Sequence, residues 1–428
     1  MTKRLTALLV GVNSPGYRSL ALDYLQATAL ADARLDVALQ RFDVGADTDP
    51  WWTAYRILSL DPVPDVLAMP VLCWTAEHVY TVARLVKQAS PGTLIVVGGP
   101  EVGPIAEETL AEQPALDAIV RGEGEFAFCD LLHSHARGGD IAGVPGVTAR
   151  DAGRVVSASD REPIADLDSI PSPFAAGLGM ATDGSAYIET YRGCPHRCAY
   201  CFEGKGSTRI RSFSWERIAA DIEAIAAAPG LQAFSFIDPV FNLTPDRLER
   251  LAELMAPHVA RGVRLHTIEV DIERIDDAQA TLLKRAGVVS VETGPQSVGA
   301  RALDTCARSF DADRFRAGVE ACKRAGISVE CDLIIGLPGD TAEDVVAGLD
   351  FAIALDPGRV QLSTLHVLPG TTLWDQAAQH GLAFDRKPPH EVISTAELSF
   401  GELRRLEVLG NAAVAAYRAR LTLPGGSR

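Results

Sequence analysis

Along most of the chain, short apolar runs alternate with stretches in which apolar residues recur every three or four positions. Leu5–Val10 reads as a buried strand, and a turn through Asn13-Ser-Pro-Gly16 leads into a helix beginning near Ser19. Leu35–Leu39, Asp65–Met69, Thr93–Val97 and Ala118–Arg121 read as further strands, with an amphipathic helix over Ala76–Gln88. Strands this apolar are buried on both faces, as in a parallel sheet with helices above and below. In such a doubly wound sheet, ligands sit beyond the carboxyl ends of the strands. Gly98-Gly99-Pro100 and Gly122-Glu-Gly-Glu125 fall at such ends, although the second is too short for a dinucleotide fingerprint.

From about Gly143 to Ser185 the pattern breaks. Pro145, Pro163, Pro171 and Pro173 punctuate it, and it reads as a linker. A second β/α series follows, with strands expected at Ala186–Thr190, Ala233–Ile237, Arg264–Val270, Val288–Thr293, Val329–Ile335 and Gln361–Val367. Helices are expected at Trp215–Ala228, Pro245–Val259, Asp277–Ala286, Ala312–Ala325 and Ala342–Ala354. This is an incomplete parallel barrel, and a last helix over Glu402–Leu421 would cover its open edge. The expected fold class is therefore α/β: a Rossmann-like doubly wound domain at 1–142, a linker at 143–185, a partial (β/α)6 barrel at 186–375 and a C-terminal helical extension at 376–428.

Bulk composition changes this picture little. The 428 residues are 47% hydrophobic and 22% charged, ordinary for a globular protein. A formal charge of −16 argues against nucleic acid as a partner, because phosphate neutralisation needs clustered Lys and Arg. It suits a neutral or cationic small molecule, although a solvated acidic surface is the commoner explanation. The basic start and apolar run resemble a signal peptide, but Asn13, Pro15 and Gly16 interrupt the run before any cleavage site. No apolar stretch approaches the roughly 20 residues of a membrane span. The expected location is cytoplasmic, with no membrane partner.

In a cytosolic chain, the eight cysteines are not expected to pair as disulfides. Three of them cluster in Tyr191-Arg-Gly-Cys194-Pro-His-Arg-Cys198-Ala-Tyr-Cys201, directly after the first strand of the second series. A C-x3-C-x2-C loop can wrap three thiolates round a cubane and leave the fourth iron without a protein ligand. The alternative is zinc with His196 as fourth ligand, but structural zinc favours two separated ligand pairs.

Loop and barrel together resemble the radical S-adenosylmethionine (SAM) superfamily. The resemblance covers about Ala186 to Gly370 and implies a [4Fe–4S] cluster held by Cys194, Cys198 and Cys201, with SAM as second cofactor. Tyr200 matches the aromatic position that borders adenine. Phe236-Ile-Asp238-Pro-Val-Phe-Asn242 lies where the family presents its methionine-binding turn; the usual Gly-Gly-Glu is absent, which leaves Asp238 as a provisional ligand for the amino group. Glu269 ends the third strand. Glu292-Thr-Gly-Pro-Gln-Ser297 resembles the ribose and carboxylate motif, placing Glu292, Gln296 and Ser297 at the cofactor. Ile335-Gly-Leu-Pro-Gly-Asp340 resembles the turn near adenine, with Gly336 and Pro338, and Leu368-Pro-Gly-Thr371 resembles the last strand end. The implied chemistry is one-electron cleavage of SAM and hydrogen abstraction from a small-molecule substrate, with a reductase or flavodoxin as electron donor. Tyr187, Cys331 and His366 lie on barrel strands and are candidate proton or hydrogen donors, with packing as the plainer reading of each.

The first domain resembles the cobalamin (B12)-binding domains that precede many radical enzymes. Asn13–Leu22, Val97-Gly-Gly-Pro-Glu101 and Arg121-Gly-Glu-Gly-Glu125 carry the likeness, but no D-x-H-x-x-G loop is present to ligate cobalt. Either the domain binds cobalamin or it keeps the fold without it. Two chemistries fit: cobalamin-dependent C-methylation, and cobalt-free dehydration or deoxygenation as in the aminoglycoside diol dehydratases. The short chain and acidic charge favour the second narrowly, with a cationic amino sugar as substrate in antibiotic biosynthesis. A tRNA methylthiotransferase is disfavoured, since no second cysteine triad and no basic RNA module are present. An iron–sulfur assembly or sensor protein would leave the strand-end motifs without a purpose.

Overall fold

The computed structural model describes residues 4–14, 17–180, 183–203 and 209–422. Pro15 and Gly16 of the first expected turn lie outside the described residues. The chain divides into two compact units, one of residues 1–186 with 211–230, the other of 187–210 with 231–428.

The first unit is built on one seven-stranded sheet: β1 (Leu5–Asn13), β2 (Val37–Gly45), β3 (Val66–Pro70), β4 (Leu94–Gly98), β5 (Ala118–Val120), β6 (Val147–Asp151) and β7 (Arg154–Ser157), in the order 2-1-3-4-5-6-7. The first five are parallel, β6 and β7 antiparallel. Successive residues of a strand face opposite sides, and β1 obeys this rule closely. Leu8, Val10 and Val12 enter one core with α2 (Pro50–Leu58), α3 (Ala76–Ala89) and α4 (Ala106–Glu112). Ala7 and Leu9 enter the other, with α1 (Leu20–Ala31) and α5 (Gly124–Ala136). A continuous apolar run is thus the signature of a strand with helices on both faces.

Two features depart from the sequence reading. The stretch read as a linker supplies β6 and β7, whose hairpin turns at Ala152 and Gly153, both at positive φ (44° and 80°). Such a turn matches the twist of paired strands, and Asp-Ala-Gly was its overlooked signal. In addition, the helix Trp215–Ala226, expected in the barrel series, groups with the first unit. There Ser214 N–H donates to Asp168 at 2.9 Å, Arg217 donates to Ile170 C=O at 2.6 Å, and Arg211 pairs with Glu123 at 2.8 Å.

The six strands of the partial barrel, all in the second unit but for the first two residues of β8, are β8 (Ser185–Ile188), β9 (Ala233–Phe236), β10 (Ile268–Glu269), β11 (Ser290–Gln296), β12 (Ser328–Ile335) and β13 (Arg359–Thr364). β8 pairs with β9, and β10 to β13 form a parallel ladder in sequence order. Leu265 bridges Phe234 and Val288 singly, so the expected third strand, Arg264–Val270, shortens to Ile268–Glu269. The final helix, Phe400–Thr422, buries Leu403 and Leu406 in the core that holds Ile335 and Leu365. Among the described residues no helix is long and apolar enough to cross a membrane.

Candidate active site

The cysteine loop begins where β8 ends, and that junction is pinned. Thr190 donates to the Asp238 carboxylate through its backbone N–H at 2.7 Å and through its hydroxyl. The Tyr191 hydroxyl donates to Val240 C=O at 2.9 Å and accepts from Val240 N–H at 2.8 Å. The chain then turns at Gly193, whose φ of 100° lies in the region that favours glycine. Farther along, Cys201 N–H donates to Cys198 C=O at 3.1 Å, and Ala199 is held by Cys306 C=O and Leu373 N–H, each at 2.9 Å. Cys198 is buried, and Cys194 and Cys201 are half-buried.

Burial raises the pKa of the Cys194 thiol, and that of Cys201 to about 11; the neighbouring thiols add to both shifts. Three thiols on one loop, one buried and two half-buried, form a donor set whose chemistry fits an iron–sulfur cluster. Among the described residues, no three His, Cys, Asp or Glu side chains converge on a single-ion position. His196 instead stands 3.9 Å from Asp271.

Beside Cys198 lies a cavity of about 640 Å³. Its walls include Cys198, Glu269, Glu292, Gln296, Arg308 and Asp332. Glu269 and Glu292 are direct cross-strand neighbours on β10 and β11. Between Thr293 and Gln296 the β11–β12 register slips. Gly294 permits that bulge, because a Cβ there would collide with the backbone of Asp332. Gln296 takes a positive φ of 66° and faces the cavity, consistent with bulges re-aiming side chains.

The cavity is electrostatically uneven. Burial, with Glu292 nearby, lifts the Glu269 carboxyl to about 7. Burial also lifts Asp332, to about 8, and the charge of Glu292 adds to the shift. Arg308 answers this charge at the cysteine side: its guanidinium donates to Cys198 Sγ at 3.5 Å, to Tyr200 Oη at 3.3 Å and to Gly294 C=O.

The remaining expected site residues stand apart from this wall. Asp238 is buried against Arg247 at 2.9 Å and does not line the cavity. Ser297 donates to Asp340 at 2.7 Å, just past the turn through Gly336 and Pro338, and none of these lines the cavity. Gly336 has a φ of 90°, and a Cβ there would press on Val392. Cys331 points away, since Asp332 faces the cavity and neighbours on a strand alternate. His366 bridges to Glu391, and burial lowers its pKa. Tyr187, on β8, is half-buried and likewise outside the lining.

Sequence reasoning missed Arg308 and Asp332. Asp332 had a signal, because Glu330 and Asp332 interrupt an apolar strand at a spacing of two. Arg308 had none, as it lies in a loop brought to the cysteines by the fold.

Comparison with known families and proteins matches residues 188–352 to the radical SAM superfamily and residues 17–132 to the B12 binding domain. The chain is 28% identical to an uncharacterized methyltransferase of Pyrococcus horikoshii, over 74% of this chain and 70% of the relative. It is 29% identical to the cobalamin-dependent radical SAM methyltransferase TokK of Streptomyces tokunonensis, over 74% of this chain. There it spans only half of the relative's length. In fold it is similar to the radical SAM methyltransferase TsrM of Kitasatospora setae, with a TM-score of 0.74 at 19% identity, covering 96% of this chain and 88% of the other.

Proposed function

We propose that this chain, a radical SAM superfamily member that also carries a B12 binding domain, is a cobalamin-dependent methyltransferase acting on a small molecule. The observation that carries the reading is the presence of both modules on one chain whose relatives include methyltransferases. This replaces the dehydration or deoxygenation narrowly favoured by chain length and charge, for which the relatives give no support.

Cys194, Cys198 and Cys201 would hold the [4Fe–4S] cluster, and Arg308 would steady the charge on Cys198. Glu292 and Gln296 would meet ribose hydroxyls, and Glu269 an ammonium group, a reading supported by the cavity that all three line. When bound, the cluster supplies the electron that cleaves SAM, and cobalamin carries the methyl group. A reductase or flavodoxin would deliver the electron. In the first unit, the carboxyl edge of the sheet fits a corrin. Gly122 has a φ of 68° and open space where a Cβ would stand, and Tyr17 and Trp74 are each 61% exposed. Acidic groups outnumber basic ones along the cavity wall, which favours a substrate bearing an ammonium group.

Anaerobically reconstituted protein, with reductant, SAM, cobalamin and candidate amine-bearing substrates, tests the reading. Product should carry a new methyl group, with S-adenosylhomocysteine formed in proportion and only when cobalamin is present. A dehydrated product formed equally well without cobalamin overturns it.

A further inference from the structure

Asp238 is the fully buried centre of a network that reaches the cavity wall at Val240, while its own carboxylate stays outside the lining. Its carboxylate accepts from the Thr190 N–H at 2.7 Å, from the Thr190 hydroxyl, and from Arg247 at 2.9 Å. Arg247 also donates to the Thr190 hydroxyl, and its guanidinium lies 5.0 Å from the Tyr191 ring centroid. Tyr191 in turn is tied at both lone pair and proton to Val240, two residues beyond Asp238. Thr190 is thereby fixed in backbone and side chain, and Tyr191 in its side chain, four and three residues before Cys194. Only Arg192 and Gly193 separate this anchor from the first cysteine of the loop.

From this geometry we infer that Asp238 and Arg247 are positioning residues that set the launch of the cysteine loop and so retain the cluster. The inference rests on the proposed role of the three cysteines. It also assigns Asp238 a task other than contact with SAM. Buried ions persist only when paired and hydrogen-bonded, and this pair meets that condition by gripping the strand end rather than by facing solvent or ligand. Loss of either charge frees Thr190 and lets Cys194 wander, while the cavity wall on β10 to β12 is untouched. A buried charged pair elsewhere in the barrel would stabilise the fold without acting on the loop.

The test compares reconstituted wild type with Asp238→Asn, Arg247→Lys and the milder Thr190→Val. Three quantities are read: iron and sulfide content, the rate of iron loss to a chelator, and SAM affinity of the cluster-loaded fraction. The inference expects iron loss at least tenfold faster in Asp238→Asn, an intermediate rate in Thr190→Val, partial rescue in Arg247→Lys, and SAM affinity within twofold of wild type. A stable cluster in Asp238→Asn together with SAM affinity lowered tenfold would overturn it and make Asp238 a cofactor ligand. If Asp238→Asn fails to fold, Thr190→Val decides: a wild-type rate of iron loss there overturns the inference equally. Failure of the underlying reading looks different, because Cys198→Ala would then keep its iron.

Discussion

Asp332 and Glu292 face one cavity from adjacent strands of the barrel, and the charge of Glu292 adds to the burial that keeps a proton on Asp332. Asp332 holds that proton up to about pH 8, chiefly because it is buried. Glu269, raised to about 7, completes a wall of carboxyls that cannot all be charged.

A pH dependence of stability follows. An acid whose pKa is higher in the folded state binds more protons folded than unfolded between the two values. Stability therefore falls as pH rises from about 4, the unfolded carboxyl range, to about 8. Asp332→Asn keeps the neutral form at every pH. In ligand-free protein the variant should lose less Tm than wild type between pH 6 and pH 8.5. Equal losses would show that Asp332 is not the group held protonated.

Arg308 supports a second prediction. A hydrogen bond to a charged group is worth about 1.5–3 kcal/mol, and a one-electron couple shifts about 59 mV per tenfold in equilibrium constant. Removing the donor to Cys198 with Arg308→Ala should make the cluster harder to reduce, by about 65–130 mV. Iron content should fall less than in Cys198→Ala, where a ligand itself is gone. Potentiometric titration followed by electron paramagnetic resonance measures the shift; an unchanged potential removes Arg308 from the cluster's surroundings.

Backbone geometry supplies a third. Gly99 has a φ of 115°, and a Cβ there would lie 2.6 Å from Val71 C=O. Gly99→Ala should destabilise the first unit by about 1–3 kcal/mol, visible as a lowered midpoint in denaturant. Gly122→Ala, with open space around it, should cost less than Gly99→Ala. The reverse ranking contradicts this placement of the two turns.

These residues also show what the sequence made legible. Apolar runs such as Leu8–Val10 and Val96–Val97 announced the parallel sheet of the first unit, because period and length suffice where both faces are buried. The cysteine loop was legible from its spacing, and Glu292–Ser297 only through its resemblance to a family motif; the bulge within it was not. Asp238 illustrates the limit: its place in a motif suggested a cofactor ligand, whereas its partner Arg247 lies a helix turn into the next element. Cys331 and Asp332 illustrate another limit. Both are adjacent on one strand, and only its alternation decides which of them meets the cavity. Arg308 reaches the cysteines through tertiary packing alone, so no local pattern could reveal it.

The last prediction concerns the first unit and bears directly on the proposed chemistry. The strand order 2-1-3 reverses direction between β1 and β3, and ligands of doubly wound sheets bind at the carboxyl edge of that switch point. Trp74 follows β3 at this edge and is 61% exposed, so its ring contributes little to the core and much to any flat ligand lying there. Trp74→Ala should leave Tm nearly unchanged, as surface substitutions usually alter stability by less than about 0.5 kcal/mol. Loss of a stacked ring costs about 0.5–1.5 kcal/mol beyond its buried area, so cobalamin affinity should drop roughly tenfold. Leu30, 57% exposed in the last turn of α1 at the opposite edge, is the control. Leu30→Ala should bind as wild type does in an anaerobic spectroscopic titration. Equal affinities for the two variants would place the corrin elsewhere, and absence of binding in wild type would remove cobalamin from the mechanism and methylation with it.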